Sequence, residues 1–141
     1  PDYYCMDGTI PRREIAYVLT EMEKMSEEFG LRVANVFHAG DGNLHPLVCY
    51  DDAVEGQAEL AEQVASEILS YCLDVGGSLT GEHGIGSDKA CHMPKMFSDD
   101  DLDTMQLVRC AFDPNHVCNP GKAFLWFKRM HADTPCHYPS E

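Results

Sequence analysis

The chain is poor in positive charge. Ten lysines and arginines stand against 24 aspartates and glutamates, a formal net charge of −14. No basic face is available to release counterions from nucleic acid, and an anionic membrane surface would repel the chain. Nucleic-acid binding and direct membrane insertion are therefore not expected, and the acidic balance serves solubility. No apolar run approaches the roughly 20 residues that span a bilayer. Paired cysteine spacing is also missing. Cys5, Cys49, Cys72, Cys91, Cys110, Cys118 and Cys136 contain no CxxC, so the pattern of a zinc ribbon or an iron–sulfur cluster is absent. The opening PDYYCMDGTIPRRE has no basic stretch followed by an apolar core, so it does not read as a signal peptide, and the cysteines read as reduced thiols, mostly small buried hydrophobes. The same stretch has no initiator Met and starts in strand-like sequence, from which a piece of a longer polypeptide is expected.

What is present suits one soluble domain: 141 residues, 44% hydrophobic and 24% charged, enough to bury a core. Residues 2–8 carry paired tyrosines and read as a short strand. Pro11 opens a helix in which Ile15, Val18, Leu19, Met22, Met25 and Phe29 recur at helical steps, and Gly30 stops it. LRVANVFH (31–38) and LHPLVCY (44–50) are rich in branched and aromatic residues and read as strands joined by the hairpin AGDGN. A second helix runs from about Glu55 to Val75, with Ala61, Val64, Ala65, Ile68, Leu69, Cys72 and Leu73 on one face, and SLT (78–80) reads as a brief last strand. The order β-α-β-β-α-β predicts an α+β, ferredoxin-like antiparallel sheet with both helices on one face. Beyond residue 81 the chain turns polar; Ser98 is placed to cap a helix over 99–112, a C-terminal helical extension, and the tail from Lys128 has no periodicity and is expected to fray.

Three stretches could carry chemistry. In HAGDGNLHP, His38 and His45 stand seven residues apart around two glycines. Glycine rules out a helix there, but on a hairpin the two imidazoles can converge on one divalent cation, zinc, or manganese if carboxylate and water complete the shell. The plainer alternative is two histidines satisfied by hydrogen bonds at a strand end. In GEHGIG (81–86), the last strand is expected to neighbour the element carrying His38, so that Glu82 could complete a two-histidine, one-carboxylate site, with His83 left as a free imidazole suited to proton transfer. The glycines could instead cradle a phosphate, although the Walker lysine spacing is lacking. Asp41 and Asn43 are expected to hold the hairpin rather than bind ligand. In NPGK (119–122), Asn119 either only helps to reverse the chain or bonds something across the turn. His92, His116, His131 and His137 read as surface residues.

Taken in order, FHAGDGNLHP, GGSLTGEHGIG and FDPNHVCNPGK resemble the C-terminal (cap) domain of FAD-linked oxidases of the vanillyl-alcohol oxidase superfamily, of the glycolate oxidase and D-lactate dehydrogenase type. The resemblance covers roughly residues 2–125 and makes 1–127 that domain, with 128–141 as its tail and the N-terminal FAD-binding domain outside this chain. It implies FAD held mainly by that other domain, a divalent metal on His38, His45 and Glu82, His83 as the base that takes a substrate hydroxyl proton, and Asn119 near the flavin ring. It implies oxidation of a small D-2-hydroxy acid, an iron–sulfur partner subunit, and a cytoplasmic location with any inner-membrane association made through partners. By itself the chain is expected to be inactive. Departures are instructive: Ser87 and then Asp88 follow the last glycine of GEHGIG, where a basic residue is usual. Cys5 and Leu47 stand where hydroxyglutarate-type members carry lysine and asparagine, which favours glycolate or lactate. The alternatives are a stand-alone ferredoxin-like metal- or ligand-binding module and a metal-dependent hydrolase using the same residues.

Overall fold

The computed structural model describes residues 2–123. The tail from Lys128, with His131, Cys136 and His137, lies outside the described residues. The chain divides into two compact units, one ending at Gly84 and the other starting at Ile85.

In the first unit β4 (Asn43–Tyr50) is the central strand. It pairs antiparallel with β3 (Val33–His38) on one side, in the register Val36 to His45 and His38 to Asn43. On its other side it pairs with β1 (Asp2–Cys5) and β2 (Gly8–Thr9), in the register Cys5 to Leu47 and Thr9 to Asn43. α1 (Ile15–Phe29), entered through a 3-10 turn at Arg12–Glu14, and α2 (Gln57–Asp74) complete the unit. Gly30 ends α1 with φ 67°, the left-handed conformation that glycine adopts without steric cost.

The expected β-α-β-β-α-β order is realised, with corrections at both ends. The first strand is interrupted at Met6 and Asp7. The segment 78–80 is no strand but a single bridge in which Ser78 and Thr9 exchange backbone hydrogen bonds of 2.8 and 3.1 Å. It therefore lies beside β2, and β4 separates it from the strand carrying His38. The ladder stops there because the next backbone N–H groups, of Gly81, Glu82 and His83, donate instead to the Asp7 side chain.

Alternation along β4 divides its two faces. Leu44, Pro46 and Val48 are buried, while His45, Leu47 and Cys49 point the other way. The buried residues lie with Ala61, Val64, Ala65, Ile68, Leu69 and Cys72 of α2 and Val18 and Met22 of α1. Truncating one of these large side chains, Leu69 for example, costs about 2–5 kcal/mol in a close-packed core. The opposite face stays open and carries His45 at its end.

In the second unit a 3-10 turn (Ala90–His92) leads into α3 (Met93–Met96) and then α4 (Asp99–Phe112). Ser98 caps α4 as expected: its hydroxyl accepts from Asp101 N, and the Asp101 carboxylate accepts from Ser98 N. Hydrogen bonds from Ser98 hold the Asp101 carboxyl below its ordinary pKa. His92 corrects the surface reading. It is buried, and first that burial and then the Lys95 charge lower its pKa. The cysteines correct the reading too: Cys5, Cys91 and Cys118 are exposed, Cys49 is half-buried and Cys72 buried, whereas Cys110 is disulfide-bonded. Among the described residues no helix is long and apolar enough to cross a membrane.

Candidate functional site

The hairpin between β3 and β4 is closed by its backbone, since Asp41 N and Gly42 N both donate to His38 O at 3.0 Å. Gly42 has φ 71°, and a Cβ there would sit 2.1 Å from Ile10 O. Only glycine lets the turn press this closely on the preceding loop. The turn places His38 at the end of β3 and His45 near the start of β4, with ring centroids 5.2 Å apart and edge to face.

Glu82 comes to this pair from the far side of the sheet. Its Oε1 is 3.0 Å from His45 Nε2 and 3.5 Å from His38 Nε2. Among the described residues these three form a group whose nitrogen and oxygen atoms lie within 4.8 Å of one another. Asn43, expected to hold the hairpin, instead donates from Nδ2 to the same Glu82 oxygen at 3.4 Å. The contact is possible because residue 81 is glycine: a Cβ at Gly81 would fall 2.4 Å from Asn43 Oδ1.

His83 stands beside the group and outside it. Its ring stacks on that of His45, centroids 4.8 Å apart and planes 29° from parallel, and its Nδ1 is 3.8 Å from Asp7 Oδ1. Asp7 is the residue that sequence reasoning missed. It is wholly buried and lies just after β1. Asp7 Oδ2 accepts from three successive backbone N–H groups, Gly81 at 2.6 Å, Glu82 at 2.7 Å and His83 at 3.0 Å. The Thr80 hydroxyl donates to the same carboxylate and itself accepts from Gly84 N. Successive N–H groups converging on one point form an anion-binding nest. Here the anion is a side chain of the protein, which corrects the phosphate-cradle reading, because these N–H groups are already taken. The one sequence signal for it was a lone aspartate inside an otherwise strand-like run, YYCMDGTI.

A cleft of about 340 Å³ opens beside the group, lined by Thr9, His38, Asp41, Asn43, Gly81 and Glu82. Its lining carries two carboxylates and no lysine or arginine, so its field favours a cation over an anion. Two imidazole nitrogens with one carboxylate oxygen form a donor set that suits zinc or manganese.

Asn119 belongs to the second unit. It sits at φ 46° in a turn held from α4, where the Arg109 guanidinium donates to the carbonyls of Cys118 and Asn119 at 2.8 Å and of Lys122 at 2.7 Å. The Asp113 carboxylate accepts from Cys118 N and Val117 N, which holds its pKa below the ordinary carboxylate range. The turn is thus built from both ends.

Comparison with known proteins agrees with the ordered motifs. The chain is 52% identical over 122 residues to glycolate oxidase subunit GlcD of Escherichia coli (strain K12), covering 86% of this chain and 24% of that protein. It is 36% identical over 118 residues to glycolate oxidase subunit GlcD of Bacillus subtilis (strain 168), covering 84% and 25%. It is also 37% identical over 119 residues to a D-lactate dehydrogenase of Anaerostipes hadrus, covering 82% and 25%. The chain thus spans about a quarter of the length of these relatives. Residues 1–123 match the family described as FAD linked oxidases, C-terminal domain, and the chain belongs to that family.

Proposed function

We propose that the chain is the substrate-side cap domain of an FAD-dependent D-2-hydroxy-acid dehydrogenase that oxidises glycolate or D-lactate to the 2-oxo acid. The observation that carries this reading is the approach of Glu82 Oε1 to the Nε2 atoms of His45 and His38, with the His83 ring stacked beside them. His38, His45 and Glu82 would hold a divalent cation, zinc or manganese, which would bind the substrate through its hydroxyl and carboxylate. When bound, the cation supplies Lewis acidity that lowers the alcohol's pKa, and FAD, held mainly by a separate domain, supplies the hydride acceptor. His83 takes the hydroxyl proton as a neutral imidazole, a role worth about 10²–10⁴ in rate. Asn119 would stand near the flavin ring when FAD is bound.

The preference for a small acid rests on Cys5 and Leu47. They are register partners across β1 and β4, and Leu47 follows His45 by two residues on the same strand face. Neither carries a charge to hold a second carboxylate. An iron–sulfur partner subunit would accept the electrons that FAD takes up. The enzyme works in the cytoplasm, and its partner subunits supply any contact with the inner membrane. The similarity to glycolate oxidase subunits and a D-lactate dehydrogenase favours this reading over the stand-alone binding module and the hydrolase.

The test is dye reduction by the full reading frame that contains this chain, with glycolate or D-lactate as substrate and His83→Ala measured alongside. Turnover that depends on His83 is expected. Undiminished turnover in the variant, or no turnover of either acid by the intact protein, removes the assignment.

A further inference from the structure

We infer that Asp7 is a positioning residue of this site: by occupying the nest formed by residues 81–83 it sets where Glu82 and His83 stand relative to His38 and His45. The inference deepens the proposed function, and it rests on that reading for its metal readout alone.

A wholly buried carboxylate is costly unless hydrogen bonds replace its hydration. Asp7 has more of them than capping a turn requires. Three consecutive N–H donors and the Thr80 hydroxyl converge on it, and the hydroxyl is fixed in turn by Gly84 N. This closes the backbone from 80 to 84 into a single turn around one oxygen. Both functional side chains of the GEHG loop then leave it in fixed directions, Glu82 towards the two imidazole Nε2 atoms and His83 onto the His45 ring. The ladder does not hold this loop, because strand pairing ends at Ser78. Nor does the His38–His45 hairpin depend on Asp7, since its own backbone closes it. The site thus has a half that stands without Asp7 and a half that does not.

The experiment uses the 141-residue chain as wild type, Asp7→Ala, Asp7→Asn and Val64→Ala. The last is a core truncation in α2, included to report simple loss of stability. Cobalt(II) binding is followed by its visible absorption, and contacts between histidine ring protons by NMR. Both Asp7 variants are expected to weaken cobalt binding by about 10–100-fold, as loss of a group orienting a ligand does, while Val64→Ala changes it less than roughly threefold. The His45–His83 ring contact should vanish in both Asp7 variants while the His38–His45 contact persists. Cobalt affinity in the Asp7 variants within roughly threefold of wild type overturns the inference, as does an equal loss in Val64→Ala. Should Asp7→Ala fail to fold, Asp7→Asn, which keeps the shape and removes the charge, decides the same point. If the wild-type chain takes up no cobalt, the proposed metal role fails, and the ring contact alone decides Asp7: its persistence in either variant sinks the positioning role.

Discussion

The His83 ring lies on the His45 ring, centroids 4.8 Å apart, with Asp7 Oδ1 3.8 Å from its Nδ1. A ligand candidate and a base candidate therefore share a surface, while only His45 directs a nitrogen at Glu82 in the shorter of the two histidine contacts, 3.0 Å against 3.5 Å for His38. The two roles should separate on mutation. His45→Ala should abolish tight cobalt binding by the chain, and His83→Ala should leave it within roughly an order of magnitude while lowering kcat of the intact enzyme about 10²–10⁴-fold. Isothermal titration together with steady-state kinetics reads both, and a His83→Ala chain that no longer binds cobalt would make His83 a ligand.

Gly42 should not tolerate a side chain. Its φ of 71°, and the mere 2.1 Å that would separate an added Cβ from Ile10 O, leave no relaxed place for alanine. Gly42→Ala is expected to destabilise the chain by about 2–5 kcal/mol, combining left-handed strain with a backbone clash. Denaturant unfolding measures this, and a loss below about 1 kcal/mol would show that the turn can move.

Arg109 holds three carbonyls of the Asn119 turn with one planar guanidinium. Lysine carries one charge centre and cannot reproduce that fork. Arg109→Lys is expected to cost about 1–2 kcal/mol and to raise amide exchange at 118–122. Unchanged exchange would mean that the Asp113 carboxylate alone secures the turn.

His92 gives a pH dependence whose sign follows from its lowered pKa. Below the ordinary histidine value of about 6.5 the unfolded chain binds a proton that the folded chain resists. Its contribution is therefore intact above that pH and is lost progressively as the pH falls from there towards the folded pKa. Melting temperatures at pH 7.5 and 5.5, about one unit either side of that value, should fall less in His92→Gln than in wild type. Equal falls in both proteins would remove His92 as the cause.

Substrate choice should follow Cys5 and Leu47. With no cation at either position, D-2-hydroxyglutarate would bury a second carboxylate unpaired. Its kcat/KM in the intact enzyme is expected to be on the order of 100-fold below that of glycolate or D-lactate. Comparable values would show that another residue anchors it.

Local pattern determined a good part of this protein. Helical spacing from Ile15 to Phe29 and from Ala61 to Leu73 marked both helices, Gly30 marked a helix end, and Ser98 marked a cap, because each depends on neighbours within one or two turns. The hairpin was legible for the same reason, and with it the approach of His38 to His45. Tertiary structure decided the rest. That Ser78 pairs with Thr9 and not with the His38 strand, and that Asn43 bonds Glu82 rather than its own turn, both depend on residues far along the chain. Asp7 shows the limit most clearly: its partners lie 73 to 76 residues away, so neither periodicity nor motif spacing could have joined them. A hydrogen bond between distant segments is set by how the sheet and helices pack, and that packing is a property of the whole fold.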